Sequence, residues 1–243
     1  MSTLPQSSSV DVYVNEVAGL NTQFDIFRFM KRLTEAYRAR AFMVLNLPSA
    51  TARDLQSNTV ITNWPVELLS AYDQEALLTS SPIVRRLRSS TIPFFSDLSK
   101  VKLERPDSRT GIVAAMFERF RMARCAYFPT HDASGARGVI SFAGDREDFA
   151  AEEMLQLHYI STHVFDRLAE IRALDSRVID ALTDREIDCL NWTAAGKTSV
   201  EIADIIGLSE HTVNHYLNRA TRKLDTVNRT QAVAKALRIG LIK

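Results

Sequence analysis

Apolar residues recur along this chain with two different periods. In GLSEHTVNHYLNRATRKL, Gly207 to Leu224, the residues Val213, Leu217, Ala220 and Leu224 fall at helical spacing and form one buried stripe. The other side of the same helix offers His211, Thr212, Asn214, His215, Asn218 and Arg222. Earlier in the chain, helical spacing is predicted over 21–40, with Phe24, Phe27, Leu33 and Tyr37 along one side, and over 66–78. It returns over 111–123, where Ile112, Ala115, Met116 and Phe120 point to a core, and over 148–174. Short apolar or β-branched runs at 41–48 and 58–65 predict strands. Segments 126–130 and 138–144 flank the turn-rich HDASGAR and read as a hairpin. In the long helix, Leu157, Ile160, Val164, Leu168 and Ile171 form a regular seam. Such a seam can close the domain core or pair with a second subunit, and it is the candidate dimer interface.

Helix starts are clearest near the C-terminus. Thr183-x-x-Glu186 and Thr198-x-x-Glu201 are capping boxes, Ser209 is a good N-cap, and Asn228-x-x-Gln231 resembles a fourth start. Gly196, Gly207 and Gly240 stand where helices stop. The expectation is an all-α four-helix unit with a three-residue turn between its second and third helices, the helix-turn-helix layout. Segment 174–183 reads as the linker, which divides the chain into a mixed α/β domain at 1–175 and a helical domain at 176–243.

Composition narrows the class. With 243 residues, 46% hydrophobic and 24% charged, the chain is an ordinary globular protein rather than a disordered one. Nothing approaches the run of about eighteen apolar residues that a membrane span needs. The opening MSTLPQSSSVDV lacks the basic and apolar regions of a secretory signal and reads as a mobile polar lead. Cys125 and Cys189 lie far apart without metal-ligand spacing, so both are expected as reduced, buried thiols in a cytoplasmic protein. The net charge of +1 hides an asymmetry. Segment 210–243 has seven basic residues and two acidic, an excess of +5, whereas 176–209 has three basic and six acidic, giving −3. Positive charge gathered at one end of a small unit suits a polyanion.

The 207–224 helix fits the major groove of B-DNA. An asparagine amide is a fork of one donor and one acceptor that matches N6 and N7 of adenine, and a histidine can donate to guanine. Asn214, His215 and Asn218 are therefore the candidate base readers. Phosphates need donors and charge rather than a pattern, which suits Lys197, Thr198, Ser199, Thr212, Arg219, Arg222 and Lys223. Duplex DNA is the expected partner. No G-x-S-x-G elbow, P-loop or zinc motif is present, so no catalytic residue, metal or cofactor is expected.

Residues 182–242 resemble the LuxR-type DNA-binding domain, through Glu186, Gly196, the EIA of 201–203, the HTV of 211–213 and the NRTQAV of 228–233. The resemblance implies a transcription factor that binds operator DNA as a homodimer, or as a heterodimer with a related regulator, and it adds RNA polymerase to the expected partners. Segment 63–94, the hairpin and the long helix resemble the autoinducer-binding domain of quorum-sensing regulators, whose fold is an α-β-α sandwich around a mostly antiparallel sheet. The implied fold class is thus α+β, with that sandwich followed by the four-helix unit. The implied ligand pocket falls on Leu68, Tyr72, Ser81, Phe95 and Ser96. Here the chain departs from the family's pattern. Leu68 stands for a tryptophan, Ser81 for the aspartate that accepts the ligand amide N–H, and Ser96 or Phe95 for a second tryptophan, while a family glycine aligns near Cys125. Serine accepts a hydrogen bond more weakly than a carboxylate, and loss of both indoles removes a donor and much pocket wall. The expectation is a regulator that does not bind acyl-homoserine lactones. Its front domain contacts a partner, as in motility regulators of this architecture that pair with each other, or senses another small effector. The alternative is a lactone-responsive regulator with a divergent pocket.

Overall fold

The computed structural model describes residues 7–97 and 105–242, without the side chains of 7–9, 175–181 and 238. Two compact units divide the chain at Ile171/Arg172. The first holds helices α1 (Ser7–Ala18), α2 (Gln23–Ala36), α3 (Val66–Gln74), α4 (Pro82–Ser89) and α5 (Thr110–Arg119). Its strands are β1 (Ala41–Asn46), β2 (Thr59–Thr62), β3 (Phe94–Asp97), β4 (Arg124–His131) and β5 (Arg137–Gly144), and α6 (Ala151–Ala181) runs on from it. The strands form one antiparallel sheet in the order β2-β1-β5-β4-β3.

Side chains alternate across a sheet, so register decides which residues share a layer. Val44 and Phe128 both lie opposite Ile140, which puts them with Phe42, Ala126 and Phe142 on one face. Ile26, Phe29 and Leu33 of α2 cover that face together with Leu157, Ile160, Val164, Leu168 and Ile171 of α6. Met43, Leu45, Cys125, Tyr127 and Val139 point to the other face, under Leu68 and Leu69 of α3, Val84 and Leu87 of α4, and Val113 and Phe117 of α5. The result is an α-β-α sandwich. A sheet buried on both faces explains why β4 and β5 read as near-continuous apolar runs. Where α6 crosses β5 the layers touch closely: a Cβ built on Gly138 would stand 2.1 Å from the Phe165 ring and 2.9 Å from the Leu45 carbonyl.

Several expectations are corrected here. The five seam residues of α6 are at most 3% exposed within one chain, so they cover the chain's own sheet and are not a surface for a second subunit. The polar lead is helical from Ser7, with residues 1–6 outside the described residues. The expected linker stays helical through Ala181, so α6 ends seven residues beyond the end at 174 expected from the sequence. On α2 and α5, Phe24, Ile112 and Ala115 face solvent, because the buried stripes run through Ile26, Phe29 and Leu33 and through Val113 and Phe117. Helix α4 and strand β3 were not foreseen. Ser81 caps α4 with Pro82 in its first turn, and the Arg137 guanidinium donates to the Leu87, Arg88 and Ser90 carbonyls at its end.

The second unit is all-α: α7 (Asp184–Ala194), α8 (Ser199–Ile206), α9 (Glu210–Lys223) and α10 (Arg229–Arg238). Every cap expected from the sequence is formed. Thr183 with Glu186 and Thr198 with Glu201 make reciprocal capping boxes, while Ser209 and Asn228 cap α9 and α10. Gly207 ends α8 at φ +68°, a left-handed conformation that costs glycine little.

Candidate nucleic-acid interface and effector cavity

Three features fix the direction of α9. The Gly207 turn sets the chain's exit from α8, Ser209 accepts the Thr212 N–H at 3.1 Å, and Val213, Leu217, Ala220 and Leu224 bury the stripe foreseen from the sequence. Its opposite face is thereby turned outward, with His211, His215, Asn218, Arg219 and Arg222 exposed. Asn218 and His215 are one turn apart on that face, as base readers must be.

Other candidates are already engaged. The Ser199 hydroxyl is buried and donates to Asn214 Oδ1 at 2.7 Å. That bond locks α8 to α9 and occupies the acceptor half of the Asn214 fork. Asn214 is half-buried, whereas the Asn218 amide is exposed. Thr198 accepts from Glu201 N and donates to its carboxylate, while Lys197 pairs with the same carboxylate at 3.2 Å. The Thr212 hydroxyl lies 2.8 Å from Ser209 Oγ. The basic end of α9 is more constrained still. Lys223 Nζ donates to Glu186 Oε2 at 2.7 Å and Arg219 Nε lies 3.3 Å from Oε1. Arg222 instead lies along its own helix, with Nε 3.5 Å from the Asn218 carbonyl, and stays exposed.

Glu186 thus has a second structural role that was hidden. Its place in a capping box was legible, but its burial beneath two cations from α9 was not, because their separation in sequence carries no periodic signal. Burial pushes its carboxyl pKa up, and hydrogen bonds from Lys223 and Thr183 outweigh this, so that it lies below the ordinary 4.5. The group is a fixed negative charge that anchors the end of α9.

The first unit contains a cavity of about 80 Å³ between the sheet and α3, α4 and α5. Of the residues expected there, Tyr72 and Ser81 line it. Leu68 is fully buried in the same core without lining the cavity, and Ser96 is buried beside Phe94 on β3, also away from it. Phe95 points to the opposite face of the sheet, against Phe149 at 6.3 Å. Residues that sequence reasoning missed line the cavity instead: Trp64, Arg105, Tyr127 and Ser141. Trp64 stacks edge-on against Phe117 at 5.4 Å, and its Nε1 is buried without a hydrogen-bond partner among the described residues. Arg105 is 7% exposed and donates to the Leu77 carbonyl, Ser80 Oγ and both oxygens of Asp107. The Arg105 and Ser80 hydrogen bonds hold the Asp107 carboxyl far below its usual range, so the pair is ionised and neutral overall. Burial raises the Tyr72 and Tyr127 phenols and pushes the Cys125 thiol up to about 12. All three stay protonated and uncharged.

Comparison with known proteins agrees with both halves. A family model described as the autoinducer binding domain matches residues 22–168, and one described as bacterial regulatory proteins of the luxR family matches residues 180–236. The transcriptional activator AhyR of Aeromonas hydrophila is 33% identical over 184 residues, covering 73% of this chain and 71% of AhyR. The HTH-type quorum sensing-dependent transcriptional regulator RpaR of Rhodopseudomonas palustris is 30% identical over 231 residues, covering 95% and 93% of the two chains. The crystal structure of Escherichia coli SdiA shares the fold, with a TM-score of 0.51 at 21% identity over 96% of this chain and 98% of SdiA.

Proposed function

The chain belongs to the LuxR family of bacterial transcriptional regulators, with an autoinducer-binding domain ahead of its helix-turn-helix, and on that premise we propose how it reads DNA and what controls it. Helix α9 enters the major groove of an operator, where Asn218 hydrogen-bonds adenine and His215 contacts the neighbouring base. Arg222 and the N–H groups at the start of α8 hold phosphates. Arg219 and Lys223 add positive potential from their places on Glu186. The carrying observation is the outward face of α9, where an amide, an imidazole and a guanidinium are exposed on a helix pinned along its other side.

The protein acts as a dimer with itself or a related regulator, through a surface other than the buried seam of α6, and catalyses no reaction. Among the described residues no helix is long and apolar enough to cross a membrane, consistent with a cytoplasmic regulator in contact with RNA polymerase. The front domain responds to a small effector held in the cavity under α3, α4 and α5, in place of an acyl-homoserine lactone. Similarity to a regulator named as quorum sensing-dependent favours the lactone as the second reading. Selection from random duplexes with full-length protein, followed by binding to the recovered site at several salt concentrations, tests the proposal. Phosphate-dominated binding falls by orders of magnitude between about 50 and 200 mM salt. Failure to enrich any sequence, or binding indifferent to salt, contradicts it.

A further inference from the structure

A second cleft, of about 370 Å³, opens at the hairpin end of the sheet, where β4 runs on past the start of β3. Thr130 follows Ala126 and Phe128 on the face of β4 that α6 covers. His158 and Thr162 stand one turn apart on α6. These three line the cleft together with Thr91, His131 and Arg137, and none of the six lines the cavity under α3, α4 and α5. Buried polar groups are normally paired, and here they break that rule. Thr130 is 4% exposed, yet its hydroxyl has no hydrogen-bond partner among the described residues, and neither has His158 Nδ1. Ser161, on the same turn of α6, is buried with its hydroxyl likewise unpaired among them. Polar groups left this way lower stability, and such costs collect where a chain meets a ligand.

We propose that this cleft binds a small oxyanion, the carboxylate or phosphate group of a metabolite, held by the Arg137 guanidinium, the His158 imidazole and the Thr130 hydroxyl. Arg137 supplies the charge. Its N–H groups donate to the Leu87, Arg88 and Ser90 carbonyls, which fix the guanidinium without neutralising it. Arg88, whose Nε donates to the Pro48 carbonyl at 3.0 Å, adds positive charge at the same end of α4. Thr162 donates to the His158 carbonyl at 3.0 Å and so holds the turn of α6 that carries the imidazole. A χ1 step of Thr130 and a flip of the His158 ring are the motions that present both polar groups to the cleft. Asp132, the carboxylate next to His131, is drawn into the hairpin, where its Oδ1 accepts the Ser134 and Ala136 N–H groups and the Ser134 hydroxyl. Hydroxyl and imidazole donors bond an anion more strongly than a neutral group, so a charged ligand gains most from this lining. A volume of this order is typical of small-molecule sites.

The experiment titrates full-length protein with phenyl phosphate, benzoate and benzyl alcohol while the histidine Cε1–H NMR signals are followed. The His158 signal is assigned by its loss in His158→Phe protein. At least one of the two anions is expected to move it and to bind about tenfold tighter than benzyl alcohol, the factor that a hydrogen bond to a charged group supplies. Tighter binding of phenyl phosphate identifies the ligand group as a phosphate, and tighter binding of benzoate as a carboxylate. Thr130→Val keeps the shape of the side chain and removes only the unpaired hydroxyl, which costs no stability. The variant should therefore melt no lower than the native protein without ligand, while its affinity for the preferred anion falls by about tenfold. A lower Tm or a failure to fold would give the hydroxyl to the fold and overturn the proposal. Unchanged anion binding in Thr130→Val, or benzyl alcohol that binds as tightly as the anions, also overturns it. So does a His158 signal that neither anion moves, which is the result if anions bind only at the basic face of α9.

Discussion

Replacing Glu186 by glutamine tests how α9 is held. The amide keeps the shape of the carboxylate and can still accept the Thr183 N–H, 2.8 Å from Oε2 in the native protein, so most of the capping box survives. What disappears is the negative charge under Lys223 and Arg219. Glu186 is fully buried, while the Lys223 and Arg219 side chains are 25% and 46% exposed. Arg219 is solvated enough to count for little, so the loss is set by Lys223. A hydrogen bond to a charged group contributes about 1.5–3 kcal/mol, and the partial exposure of Lys223 argues for the lower half, about 1.5–2 kcal/mol. For a unit of this size, Arg172–Lys243, each kcal/mol moves Tm by about 4–8 °C, giving a fall of about 10 °C. Trp192, on α7 of the same unit, reports the transition by fluorescence when both proteins also carry Trp64→Phe. The pH dependence has a definite sign. A carboxyl whose folded pKa is depressed contributes fully above its unfolded value and loses that contribution as pH falls through the folded one. The gap between native and Glu186→Gln should therefore be full at pH 7 and shrink as pH falls below about 4.5. An unchanged Tm at pH 7, or a gap that persists undiminished in acid, refutes the anchoring role.

Three further outcomes follow from the same geometry. Arg222→Ala should weaken operator and random DNA alike and reduce the salt slope of log K by about one, the signature of a single lost phosphate contact; an unchanged slope would remove Arg222 from the backbone interface. Gly138→Ala should destabilise the first unit by about 1–3 kcal/mol through overpacking, since the Leu45 carbonyl 2.9 Å away is backbone and cannot yield as a side chain does; wild-type stability in chemical denaturation would show that the sheet and α6 have slack there. Val164→Asp with Leu168→Asp, two fully buried sites, should unfold the first unit instead of releasing folded monomers, and a folded double variant by circular dichroism would contradict the assignment of the seam to the core.

Local chemistry was legible in the sequence and long-range partnership was not. Ser209, Thr198 and Thr183 act on N–H groups three residues away, so the helices of the second unit could be read from short motifs. The α6 seam shows the limit. Periodicity identified Leu157, Ile160, Val164, Leu168 and Ile171 as a buried face, but it says nothing of what does the burying, and the sheet was there first. Strand β3 is only four residues, half of them polar, and α4 carries three arginines in eight positions, so neither gave a clear period. At the cavity, Tyr72 and Ser81 were reached through resemblance. Trp64, Arg105, Tyr127 and Ser141 come from four separate elements or loops that only the sandwich brings together. On α9 the outward face was foreseen, whereas the bond that commits Asn214 to Ser199 joins two helices and has no local signature.

The most direct test of DNA reading by α9 is competition binding of Asn218→Ala protein with the selected operator and a scrambled duplex at one fixed salt concentration. A bidentate amide on adenine is worth about 1–3 kcal/mol of discrimination, and neighbouring phosphate contacts do not depend on it. The account predicts a loss of that size on the operator with random-duplex affinity nearly unchanged. Equal loss on both duplexes would make Asn218 a phosphate ligand, no loss on either would make it a solvated surface residue, and both results contradict base reading from this face.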